Sequence, residues 1–161
     1  MVGTLARVPI VDDDAGLARI LAETRTIALV GASPHPWRDS HAIMAYLQQQ
    51  GFRVIPVNPN ARDTRILGES VFDDLASIDV PVEMVNVFRN SDRAAEAIDA
   101  AIASRNTLGV RSVWLQLGVF NVAATERACN AGLEMIVDRC IKIEHRRLRQ
   151  RSSAKDTTGR Q

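Results

Sequence analysis

Five short apolar runs recur along the chain, and the stretches between them have helical periodicity. The runs are TIALVG at 26–31, FRVIPV at 52–57, VEMVNVF at 82–88, VRSVWL at 110–115 and LEMIV at 133–137. Apolar runs this short, bounded by turn-forming residues, read as buried strands. Between them, residues 39–50 put Ile43, Tyr46 and Leu47 on one helical face. Residues 91–104 do the same with Ala94, Ala95, Ile98, Ala101 and Ile102. A third helical segment covers 121–131. A helix between successive strands is the crossover that parallel pairing needs. The pattern therefore predicts a single α/β domain, a doubly wound, mainly parallel five-stranded sheet with helices on both faces and right-handed crossovers.

Local signals set the expected boundaries. Asp39 or Ser40 is a candidate cap for the second helix and Gly51 its stop. Ser91 is the candidate cap of the next helix, and Asn121 and Gly132 bracket the one after it. Pro56 has no N–H for a sheet ladder, so it belongs near the second strand's end or on an edge. Residues 12–23 read as a short helix with acids in its first turn. A last helix from about Ile141 is expected to fray into SSAKDTTGRQ, a composition typical of disorder. The expected organisation is a helical extension over 1–25, the domain over 26–148 and a basic disordered tail over 149–161.

Composition narrows the function classes. Apolar residues make up 46% and charged residues 24%, and no apolar run nears the roughly 20 residues that span a bilayer. The stretch MVGTLARVPIVDDDAG is too short in apolar residues for a signal peptide, so a cytoplasmic protein without a membrane role is expected. Cys129 and Cys140 cannot form a disulfide scaffold. His35, His41 and His145 lack metal-ligand spacing, so no metal is expected. Residues 142–161 carry a balance of +5 and the rest of the chain −4. With an acidic body, the RRLRQR segment reads as a solvated helix end rather than a nucleic-acid dock.

In a sheet of this kind, ligands bind beyond the carboxyl ends of the strands, where strand order reverses. The first such turn is VGASPHPWRDS, residues 30–40. It begins with a glycine after a strand, as dinucleotide sites do. The second and third glycines of GxGxxG are replaced by Ser33 and Pro36, however. The second strand ends in Val57-Asn58-Pro59, without the acid that grips a ribose. The NAD signature fails, and no GKS or GKT marks a P-loop. An anion site survives: Ser33 and Ser40 offer hydroxyls, a helix begins near Asp39, and Arg38 stands beside it.

Five motifs in order carry a resemblance. VGAS with Arg38 and Ser40, VIPVNP, VNVFR, VWLQLGV and VDRCIKIEH resemble the small stand-alone coenzyme A-binding proteins. These are Rossmann-like domains related to the CoA-binding domain of the succinyl-CoA synthetase alpha subunit. The resemblance runs from about Thr26 to Leu148. It implies that Gly31, Ala32, Ser33, Arg38 and Ser40 hold phosphates and that Asn58 and Pro59 border the nucleotide. It also implies that Phe88 and Arg89 lie against adenine and pantetheine, with Gln116 and Gly118 facing the same cleft. Arginines would take the place of the NAD acid because CoA carries a 3′-phosphate.

Each of these residues has a plainer role open to it. Asn58-Pro59 is also an ordinary turn, Phe88 and Trp114 also suit a core, and Arg89 also suits a surface pair with Asp92. Gln116, polar inside an apolar segment, must find a partner in the backbone or in a ligand. Cys140 stands between Arg139 and a helix start, surroundings in which reactive thiols occur, and is a candidate for exchange with the CoA thiol. Ligase chemistry in the family needs a phosphohistidine on a second domain, which no segment here matches. Non-catalytic binding of CoA or acyl-CoA by a carrier, sensor or regulator is therefore expected. An enzyme acting on a CoA thioester, or an oxidoreductase with an atypical NAD(P) site, is the alternative.

Overall fold

The computed structural model describes residues 6–158. Helix α1 (Asp14–Glu23) leads into β1 (Thr26–Val30), α2 (Asp39–Gln49) and β2 (Arg53–Val57). A loop follows with a one-turn 3-10 helix at Pro59–Ala61 and a two-stranded antiparallel hairpin of β3 (Arg65–Ile66) and β4 (Glu69–Ser70). A second 3-10 turn, Leu75–Ser77, precedes β5 (Met84–Val87). The chain continues through α3 (Ser91–Ala103), α4 (Arg105–Leu108), β6 (Ser112–Leu115), α5 (Val122–Asn130), β7 (Glu134–Ile136) and α6 (Ile141–Thr158).

The five longer strands form one sheet in the order β2-β1-β5-β6-β7, every pair parallel. This is the doubly wound sheet that the alternation predicts. Pro56 lies in β2, an edge strand, where its missing N–H interrupts no ladder inside the sheet. Because successive strand residues face opposite sides, each strand feeds two cores. Ile27 and Leu29 of β1 join Leu17, Met44, Leu47 and Ile141, packing α1, α2 and α6 on one face. Ala28 and Val30 join Ala94, Ile98, Ala124 and Ala128, packing α3 and α5 on the other. Burial of each large aliphatic side chain contributes about 1.5–3 kcal/mol. Trp114 is wholly buried, and its indole N–H donates to the Arg139 carbonyl at 2.8 Å.

Three boundaries depart from the sequence reading. The segment set apart as an N-terminal extension belongs to the core: Leu17, Ile20 and Leu21 are buried, and Val11 N–H donates to Met135 O. Residues 1–5 lie outside the described residues. At the other end, α6 runs on to Thr158, whereas fraying is expected from 149. Non-local polar contacts hold it, with Arg147 and Arg151 on Asp14 and Arg149 on Gln50. The last part of the expected tail, 159–161, lies outside the described residues. The cap of α3 is Asn90 rather than Ser91, its side chain accepting from Arg93 N–H at 3.1 Å.

Candidate ligand-binding cleft

Parallel strands deliver all their carboxyl ends to one side of the sheet. There β1 is flanked by β2 and β5, and the chain leaves β1 for α2 on one face and β5 for α3 on the other. The diverging loops open a cleft. Its first hollow, about 530 Å³, is lined by Gly31 to His35, Arg38 to Ser40, Asn58, Asn60, Ala61, Phe88 and Arg89. The turn after β1 is fixed by what surrounds it. Gly31 has φ 91°, and a Cβ there would stand 2.2 Å from the Phe88 carbonyl oxygen, so only glycine fits. Its N–H donates to Val57 O at 2.9 Å, and Ala32 N–H reaches the same oxygen at 3.4 Å.

Those two N–H groups are thus committed to the end of β2 and are unavailable to a phosphate. Asn58 is committed too: its amide N–H donates to Ala32 O at 2.8 Å and its oxygen accepts from Asn60 N–H at 2.9 Å. Here the turn and the cleft wall are the same structure. Ser33 Oγ accepts from His35 N–H at 3.2 Å, and the His35 ring stacks on exposed Trp37 with centroids 4.6 Å apart. Pro59 instead lines a smaller hollow of about 150 Å³ behind the cleft, with Arg89, Arg93 and Glu96.

The uncommitted groups converge at the start of α2. Its cap position is Arg38, and no side chain closes the helix end; neither Asp39 nor Ser40 caps it. Among the described residues, the N–H groups of Asp39 and Ser40 and the Ser40 hydroxyl find no acceptor or donor. Ser40 is only 6% exposed, and that exposure opens on the cleft. The guanidiniums of Arg38 and Arg89 form no ion pair among the described residues, and the alternative of an Arg89–Asp92 pair is not made. Arg89 is half-buried: burial, then neighbouring Arg93, lower its proton affinity, with Glu96 partly opposing. Cationic groups and free N–H donors without counter-charge are what an anion binds.

A second hollow of about 490 Å³ adjoins the first and shares Asp39, Phe88 and Arg89 with it. Its wall adds Ala42, Ile43, Asn90, Gln116, Leu117, Gly118, Val119, Cys140 and Lys142. Gln116 is 6% exposed; its oxygen accepts from Ile141 N–H at 3.4 Å and from the Asn86 amide at 3.5 Å. Its own amide N–H groups have no acceptor among the described residues. Asn86, wholly buried beneath, donates to Trp114 O at 3.1 Å and keeps its oxygen unpartnered. Gly118 N–H donates to Asp138 Oδ1 at 2.8 Å, and Asp138 sits at φ 59°, a conformation few non-glycine residues adopt. Ser91, displaced from the cap, ties this loop down by donating to Gly118 O at 3.3 Å and accepting from Phe120 N–H at 3.1 Å. Arg139 points away from Cys140, engaging Glu144 and the Asp12 carbonyl. Lys142 is also part of this wall, and its ammonium lies over the Tyr46 ring, 5.5 Å from the centroid.

Asp39, Asn60, Asn90 and Lys142 line the cleft without being foreseen as site residues. Asp39 and Lys142 stand in the first turn of a helix that follows a strand, which is the signal that could have found them. Among the described residues no group of three His, Cys, Asp or Glu side chains is close enough to hold a metal, and no helix is long and apolar enough to cross a membrane.

Comparison with known proteins shows the family. The CoA binding domain pattern matches residues 25–146. The chain belongs to that family. A Bacillus subtilis protein, YneT, whose function is uncharacterised, is 33% identical over 131 residues, 81% of this chain and 93% of its own. A hypothetical protein from Pyrococcus horikoshii is 33% identical with a TM-score of 0.79, covering 89% of this chain and 99% of that one. A dinucleotide-forming acetyl-coenzyme A synthetase of Ca. Korarchaeum cryptofilum shares the fold at 20% identity and a TM-score of 0.55. It matches 68% of this chain but only 25% of its own. Membership of the family supports CoA binding in general, and the Rossmann-like sheet is common to all three comparisons of fold and family.

Proposed function

We propose that the cleft binds coenzyme A or an acyl-CoA without transforming it, as a carrier, sensor or regulator. The observation that carries this reading is the convergence of Arg38, Arg89 and the uncapped start of α2 on one hollow, with neither arginine held in an ion pair among the described residues. CoA brings a pyrophosphate and a 3′-phosphate, so it supplies the missing anions at this point. The second hollow, with Ala42, Ile43, Phe88 and Val119 in its wall, suits the less polar pantetheine arm, and the Gln116 amide offers a donor to an arm carbonyl. A binding role without chemistry is supported by the use of the cleft's polar side chains. Ser33 and Asn58 are spent on holding turns.

Calorimetric titration of ligand-free protein with CoA, dephospho-CoA and NAD tests the reading. CoA is expected to bind at least about tenfold tighter than dephospho-CoA, since a charge-assisted hydrogen bond is worth roughly 1.5–3 kcal/mol. NAD, lacking the third phosphate and meeting no ribose-gripping acid, is expected to bind weakest. Absence of heat with CoA, or equal affinity for NAD, overturns the assignment.

A further inference from the structure

We propose that Cys140 captures the thiol end of the ligand as a mixed disulfide, making the second hollow a reversible covalent anchor for CoA. The inference rests on the CoA reading above and adds a bond to it. The two cysteines occupy opposite faces of the sheet. Cys129 lies in α5 with no exposed surface, packed in the α3–α5 core, and burial pushes its thiol pKa up. Cys140 sits between β7 and α6, belongs to the other core, keeps 9% of its surface open and lines the second hollow.

A lone thiol in a wall says little, but a second group in the same wall also asks for a ligand. The Gln116 side chain is nine-tenths buried and borders the hollow, with amide N–H groups that meet no acceptor among the described residues. That donor is open to the hollow and is offered to whatever enters. The amide carbonyls of a pantetheine arm are acceptors for it, and the arm ends in a thiol. The hollows share Asp39, Phe88 and Arg89, so a molecule with its phosphates at the start of α2 leads its arm past Phe88 towards Gln116 and Cys140.

The exchange balances with the symmetrical disulfide of CoA as co-reactant. The Cys140 thiol gives its proton to solvent, and its sulfur attacks one sulfur of the disulfide. The old S–S bond breaks, a new one joins Cys140 to one CoA, and the other CoA leaves as a thiolate that takes up a proton. Cys140 is oxidised and one half of the reagent is reduced. A free thiol reverses the step.

The test is intact-mass and peptide mapping of the full chain under native conditions, with CoA disulfide and glutathione disulfide in parallel. The wild type and Cys129→Ser are expected to gain one CoA group at Cys140, at least about tenfold faster than a glutathione group, because bound phosphates raise the local concentration of the reactive end. Cys140→Ser is expected to gain neither group. Equal rates with the two reagents, modification at Cys129 instead, or no adduct each overturn the proposal. Protein that binds CoA and takes no adduct fails this inference alone. Protein that shows no calorimetric binding of CoA fails the underlying reading as well.

Discussion

The cleft and the terminal helix are both rich in arginine, and they use it in opposite ways. Along α6 two of the arginines are matched by carboxylates. Arg147 bridges Asp14 and Glu144, Arg151 reaches Asp14, and Arg139 just before the helix engages Glu144. In the cleft, Arg38 and Arg89 have no carboxylate partner among the described residues, and the helix start beside them is uncapped. The sequence reads the basic C-terminal segment as a solvated helix end and puts the anion site at the turn after β1, and the two sets of contacts fit that division. A guanidinium already held by a carboxylate is structural, whereas one left half-buried and unpaired is waiting for an anion.

Substitutions that remove the cleft's geometry should do most to break this contrast. Gly31→Ala places a Cβ against the Phe88 carbonyl at a φ of 91°, so a loss of roughly 3 kcal/mol or more of stability is expected, together with CoA binding. Chemical denaturation measures the first and calorimetry the second. A Gly31→Ala protein of unchanged midpoint would show that the turn is not clamped as described. Next in size, Arg89→Gln should weaken CoA binding about 10- to 100-fold while leaving the melting temperature unchanged or raised, because an uncompensated half-buried charge is removed. A melting temperature that falls with unaltered affinity would make Arg89 a structural residue like those of α6.

What the sequence makes legible follows the range of the interaction that decides each feature. Strands and helices were readable because their periodicity is local, and Pro56, lacking one donor, left a strand end or an edge open. Gln116 announced itself as a polar group in an apolar run that had to find a partner, and half of its side chain still lacks one. The choice of Asn90 over Ser91 as cap was not readable, since both side chains can cap. It is settled by the loop after β6, which recruits Ser91 through Gly118 and Phe120. Nor was the length of α6. Its sequence has the composition of a tail, and the carboxylate that holds two of its arginines is Asp14, at the far end of the chain. The five turns of the cleft were found in order, yet the commitment of Gly31 and Ala32 N–H to Val57 is a contact between loops that no motif records.

On the terminal-helix side the expected effects are smaller. Arg147→Gln should cost about 0.5–1 kcal/mol of stability, since the pair is partly exposed and screened, and leave CoA affinity within about twofold. A larger loss of affinity than of stability would move the anion site to α6 and undo the comparison. Smallest of all is a pH effect at His145, whose Nδ1 lies 2.7 Å from the Tyr46 hydroxyl and whose ring meets Phe52 edge-on. Burial, and then Arg149, hold the imidazole below its ordinary value of 6.5. The folded state therefore binds fewer protons near that pH than the unfolded chain does. The stability linked to this group is complete above about pH 6.5 and is lost progressively as the pH falls through the depressed folded value. Melting temperatures at pH 7.5 and pH 5.5 should differ more in wild type than in His145→Gln, while CoA affinity at either pH stays the same in both. If His145→Gln instead removed a pH dependence of CoA binding, α6 would be coupled to the cleft, and the division between a paired, structural helix and an unpaired, ligand-seeking cleft would have to be redrawn.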